Sequence, residues 1–249
     1  MDIRQLILPS GIGLSHLRVY DEPGPDGLIT GGAHFHGVCS EIYYVLSGTG
    51  YVELLSLNGY QKIELQPNKV VFFRPGVIHR LVNPNKNLEI LLIMQNGGLP
   101  ERGDFILTFT PDIMADTTAY IAAARAANMT EALARRNAAN IGFNDLRDTM
   151  LADTNNGRRK LREFYDHARR LLLPKVDGFE WVLKSGSLYE AKNSHDAIDF
   201  IRNNHMEYLE KATWEGIYPM NEPLRQGTSG TMHPYAVQES LSAEGQRVA

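Results

Sequence analysis

The chain has 249 residues, of which 43% are hydrophobic, with 25 Lys plus Arg against 29 Asp plus Glu. That length fits one or two domains, and that apolar share excludes a disordered chain. A net charge of −4, with neither half polarised, offers no broad basic surface and argues against nucleic acid as a partner.

The opening Met1-Asp2-Ile3-Arg4-Gln5 lacks the charged-then-apolar layout of a signal peptide, and Leu6-Ile7-Leu8 is too short for its apolar core. No apolar run approaches the roughly 18 residues of a membrane span. The single cysteine, Cys39, has no partner for an internal disulfide, which fits a reducing compartment. A cytoplasmic protein without a membrane partner is expected.

Residues 3–8 and 15–20 read as short strands separated by Pro9-Ser10-Gly11. Residues 21–27 form a Pro/Gly-rich loop ahead of His34-Phe35-His36. Glu41-Ile42-Tyr43-Tyr44-Val45-Leu46 is a second strand, and residues 51–55 and 61–65 make a hairpin around Asn58-Gly59. Strands over 69–74, 79–83 and 88–95 follow, enough for a small antiparallel barrel or jelly roll within residues 1–100.

Composition then shifts toward Ala, Leu, Arg and Asp with helical spacing. Thr110-Pro111-Asp112 starts a helix over 111–127 that Asn128 ends, and Thr130 caps the next, with Phe143, Leu146 and Met150 on one face. Leu161, Phe164, Tyr165, Ala168, Leu171 and Leu172 form the clearest apolar stripe, closed by Pro174. Ser194 caps a last helix that turns Ala197, Phe200, Ile201, Tyr208, Leu209 and Ala212 inward. Residues 101–224 therefore form a helical region that packs on the barrel, lids its mouth or makes a homodimer contact. Residues 225–249, poor in large apolar groups, read as an extended tail without a fold of its own.

Chemistry concentrates at His34, His36, Glu41 and His79. Alternation puts His34 and His36 on one side of a strand and Glu41, Tyr43 and Val45 on one side of the next. A Pro75-Gly76 turn precedes the strand opened by His79, which turns Leu81 and Asn83 the same way and Arg80 outward. Two imidazoles and a carboxylate, joined by a third imidazole, suit one divalent transition metal such as Fe, Mn, Ni, Zn or Cu. The other histidines, His16, His167, His195, His205 and His233, lack ligand spacing. Cys39 reads as a small buried hydrophobe, and Arg158-Arg159-Lys160 as the solvated start of a helix.

The chain here resembles the cupin superfamily, whose two motifs read G(x)5HxH(x)3–4E(x)6G and G(x)5PxG(x)2H(x)3N. His34, His36, Glu41 and Gly48 match the first, with Leu28 in place of the leading glycine; Gly76, His79 and Asn83 match the second, with Asn68 and Arg74 in place of its glycine and proline. The resemblance covers roughly residues 13–97 and implies a barrel with those four ligands. It also implies either dioxygenase chemistry or redox-neutral isomerase, epimerase, cyclase or lyase chemistry, with non-catalytic small-molecule binders as a third class. Dioxygenase-type oxidation of a small organic molecule is the first expectation. Glu41 and Tyr43 are the candidate catalytic groups, and Val45, Leu81 and Asn83 the substrate contacts. No lysine or arginine is placed beside the metal, so a neutral or largely apolar substrate is expected.

Overall fold

The computed structural model describes residues 8–219 and 225–236. The strand expected over residues 3–8 lies almost wholly outside them. Eleven strands are present among the described residues: β1 (Gly13–Val19), β2 (His34–Phe35), β3 (Glu41–Ser47), β4 (Gly50–Ser56), β5 (Gly59–Leu65), β6 (Val70–Phe73), β7 (Ile78–Val82), β8 (Glu89–Met94), β9 (Ile106–Leu107), β10 (Arg225–Gln226) and β11 (Gly230–Ala236). They form a six-stranded sheet in the order β10-β11-β1-β8-β3-β6 and a five-stranded sheet in the order β5-β4-β7-β2-β9. Every recorded strand pair is antiparallel.

Period-two alternation sorts the strand side chains into two cores. Leu17, Val19, Tyr43, Val45, Val52, Val71, Phe73, Leu81, Ile90 and Leu92 fill the space between the sheets. Phe35, Leu55, Ile78 and Ile106 point the other way, where the helices cover the five-stranded sheet. The turns follow local rules. The β4–β5 hairpin turns through Leu57-Asn58, one residue before the expected Asn58-Gly59 pair, with Ser56 paired to Gly59. Asn68, standing where the motif has glycine, adopts a left-handed φ of 70°, a conformation that Asn tolerates better than most residues.

Six helices follow: α1 (Pro111–Ala115), α2 (Thr117–Ala124), α3 (Met129–Ala152), α4 (Thr154–Leu172), α5 (Val176–Ser185) and α6 (Ser187–Arg202). The 111–127 helix is broken at Asp116, whose backbone is extended and whose carboxylate accepts the Thr118 and Ala119 N–H groups. A side chain that satisfies the first free amides of a helix starts a new one there. Asn128 likewise caps α3, rather than ending the helix before it, by accepting from Glu131 N. Phe143, Leu146 and Met150 of α3 pack with Leu161, Phe164, Ala168 and Leu171 of α4 against Phe35, Ile78 and Ile106. At roughly 1.5–3 kcal/mol for each large apolar side chain buried, this contact makes α3 and α4 part of the fold.

Three expectations are corrected. The sheets do not end at residue 100: β9 joins the five-stranded sheet, and β11 pairs along β1 from Val19↔Gly230 to Leu14↔Ala236. Residues 225–236 are therefore strand and turn rather than an unstructured tail. Their short alternating residues suffice once β1 offers an open edge. The last helix starts at Ser187, and Ser194 lies inside it with Oγ bonded to the Glu190 carbonyl, the back-bonding open to serine within helices. Phe200, Ile201 and Leu209 face outward, and α6 buries none of its residues.

Candidate metal centre

β2 and β7 lie side by side with His34 opposite His79. His36 follows β2 directly, and Glu41 opens β3 in the other sheet. The four side chains thus meet from both sheets at one end of the interior, with one ligand atom from each within 4.8 Å of all the others. All four are buried.

The hydrogen bonds around the cluster assign the rings. Each imidazole has its Nδ1 against a main-chain carbonyl: His34 on Gly32 (3.0 Å), His36 on Asp104 (2.5 Å) and His79 on Val77 (3.1 Å). A carbonyl can only accept, so each Nδ1 carries a proton, and in the neutral ring each Nε2 presents a lone pair inward. His34 Nε2 lies 3.1 Å from His79 Nε2. Glu41 Oε2 lies 3.4 Å from His36 Nε2 and 3.2 Å from His79 Nε2, yet this buried oxygen accepts no hydrogen bond. With the three rings neutral, three nitrogen lone pairs and one carboxylate converge, an arrangement that a cation satisfies. Imidazoles whose far nitrogen is held by a carbonyl are the usual support for such an ion.

Charge responds accordingly. Burial, followed by the neighbouring imidazoles, holds His34 well below the usual histidine range. For His36 burial opposes the charge, but Glu41 and then Asp104 outweigh it and the pKa rises. Burial also resists the Glu41 charge, and contact with His36 and His79 holds its carboxyl far below the usual range. Tyr43, pushed well above its ordinary value by burial and then by Glu41, stays a neutral phenol.

The surroundings are aromatic. Phe73 lies 4.2 Å from the His79 ring, Tyr43 6.1 Å from it, and Phe105 meets His34 edge-on at 6.4 Å. Val45 and Leu81 are buried beside Tyr43, as expected. Asn83 is not available to a substrate: its Nδ2 donates to the Val19 and Tyr20 carbonyls, and its Oδ1 accepts from Asn87 N and Leu88 N. It braces a loop, and the substrate-contact assignment is withdrawn. Arg80 does point away from the centre but is buried, with Nε 2.6 Å from Glu53 Oε2 and Nη1 2.8 Å from Asp26 Oδ2, and Phe143 of α3 beneath its guanidinium. Arg74 is exposed. Cys39 is buried in a small apolar cluster, with burial pushing its thiol to about 12.

Residues 24–94 match the family model for the cupin domain. The match supports a cupin domain in that part of the chain. No curated protein matches it. Among solved structures it is similar to the capsular polysaccharide assembling protein CapF from Staphylococcus aureus, at 21% identity over 38% of this chain and 25% of that one, TM-score 0.30. A cupin protein from Bacteroides fragilis shares 24% identity over 33% of this chain and 62% of its own, TM-score 0.25. DMSP lyase DddQ from Ruegeria pomeroyi shares 18% over 34% and 38%, TM-score 0.27. The chain thus spans less than two thirds of each of these structures.

Three residues beside the centre were not singled out from the sequence. Phe73 shares the inward parity of Val71, so alternation along β6 could have found it. Asp104 and Phe105 follow the last strand expected for the barrel, and only the fold brings them to the histidines.

Proposed function

We propose that this chain is a metal-dependent enzyme that acts on a small, neutral or largely apolar molecule by dioxygenase-type oxidation. The observation that carries the reading is the convergence of three imidazole Nε2 atoms and Glu41 Oε2, all buried, inside an aromatic-lined interior. Three imidazoles and one carboxylate suit Fe, Mn, Ni, Zn or Cu. A bound ion of this kind supplies Lewis acidity and, for the redox-active metals, an electron source for dioxygen chemistry.

The residues of the chain do the rest. Glu41 places one fixed negative charge against the ion. The three backbone-held rings keep their Nε2 atoms aimed inward with little freedom to turn away. Phe73, Phe105, Val45 and Leu81 exclude water and favour an apolar substrate body. Tyr43, held as a phenol, can donate a hydrogen bond to a substrate oxygen but cannot act as a base near neutral pH.

The test is a thermal-shift screen of metal-loaded protein with neutral aromatic and hydroxy-ketone compounds against sugar phosphates, followed by oxygen-electrode measurements on compounds that stabilise it. Oxygen uptake matched to loss of a neutral compound is expected. Turnover without oxygen uptake would move the enzyme to the redox-neutral isomerases and lyases. A preference for phosphates that Arg74→Ala abolishes would overturn the neutral-substrate reading.

A further inference from the structure

We propose that Asp104 is the positioning residue of this centre, fixing both the His36 ring and the loop that carries the chain from His36 to Glu41. The inference rests on the metal reading above and adds a residue that neither ligand motif contains.

Asp104 is fully buried. Its Oδ1 accepts from Gly37 N (2.9 Å) and Val38 N (2.8 Å), and its Oδ2 accepts from Cys39 N (2.8 Å). Three successive amides aimed at one carboxylate make an anion nest, and charge-assisted bonds offset part of the cost of burying the charge. The same residue's carbonyl takes the His36 Nδ1 proton. One residue therefore sets the rotation of a ligand ring and the path of the next five residues to Glu41.

The residues around Asp104 lock it in turn. Gly103 has a φ of +84°, and a Cβ there would fall 2.4 Å from Lys175 Nζ, which itself donates to the Gly103 carbonyl at 3.3 Å. A Cβ on Gly37 would lie 2.6 Å from Leu172 Cδ1 and 3.2 Å from Asp104 Oδ1. Leu172 ends α4 and Lys175 sits in the turn after it. The end of the helical hairpin thus presses on both the loop and the residue that anchors it. This gives the helices a task at the centre beyond covering the sheet.

Amide exchange and cobalt(II) binding, measured on the full chain and on Asp104→Asn and Asp104→Glu, test this. In metal-free wild-type protein the His36 Nδ1 proton should show through-bond NMR coupling to the residue 104 carbonyl. In Asp104→Asn the amides of Gly37, Val38 and Cys39 should exchange roughly tenfold faster or more. Its cobalt(II) affinity should fall about 10–100-fold, with an altered visible spectrum, and Asp104→Glu should recover part of both. Unchanged affinity and spectrum in Asp104→Asn would overturn the proposal, as would absent coupling in wild type, which needs no variant to fold. If wild type takes up no cobalt, the metal reading fails by itself. The coupling and exchange data then still decide whether Asp104 holds the ring and loop.

Discussion

His79 and Arg80 are neighbours on β7 and belong to buried polar clusters on opposite faces of one sheet. Arg80 meets Glu53 and Asp26, with Arg147 of α3 reaching toward the same two carboxylates. Two guanidinium groups face two carboxylates, so charge is balanced within the cluster, although Arg80 Nη2 lies against Glu53 without a hydrogen bond. His79 meets His34, His36 and Glu41, whose Nε2 and carboxylate atoms crowd one point. Buried charge therefore has different meanings in the two places: the charge-balanced cluster is a brace between barrel and helix, whereas three imidazoles on one carboxylate suit a cation. The contrast warns against reading any buried charged group as a site until its partners have been counted.

The largest effect should come from breaking the balanced side. Arg80→Ala leaves Glu53 and Asp26 facing each other under α3 with Arg147 alone to answer them. A loss of about 3–5 kcal/mol in urea unfolding is expected, as for a buried pair deprived of one partner. His79→Ala, one residue away, should abolish metal uptake and leave metal-free protein close to wild type in stability. Similar stabilities for the two variants would erase the distinction.

The helices allow a second comparison. Phe164→Ala of α4 removes a ring packed on Phe35 and should cost about 3–5 kcal/mol. Ile201→Asp of α6 alters a side chain that is 57% exposed and should stay within about 0.5 kcal/mol. Chemical denaturation of both variants checks this, and a large loss in Ile201→Asp would show that α6 is covered in solution. Asn83→Ala stands between them. It strands two backbone amides and two carbonyls, so a loss of about 1–3 kcal/mol is expected, with cobalt affinity unchanged. A change in affinity would return Asn83 to the site.

Much of this was legible in the sequence because alternation and ligand spacing are local. His34, His36, Glu41, Tyr43 and Val45 share a face by counting in twos, and the structure keeps that parity. The α4 stripe was visible at three- and four-residue spacing for the same reason. Long-range pairing was not legible: nothing in residues 225–236 says that β1 has a free edge beside them. Asp104 was hidden because its partners are backbone amides 65–67 residues away, and amides carry no sequence signature. Asn83 was misassigned because inward parity does not reveal that four backbone groups already occupy an amide. Phe200 and Ile201 show the same gap, since a helical stripe reports a face without saying whether anything meets it.

Metal binding by the four residues is the central claim, and direct metal analysis tests it best. Protein purified without chelator, then titrated with Fe, Mn, Ni, Zn and Cu, should hold one ion per chain. His36→Ala and His79→Ala should lose it while retaining the wild-type circular dichroism spectrum. Folded wild-type protein that takes up none of the five metals would contradict the account.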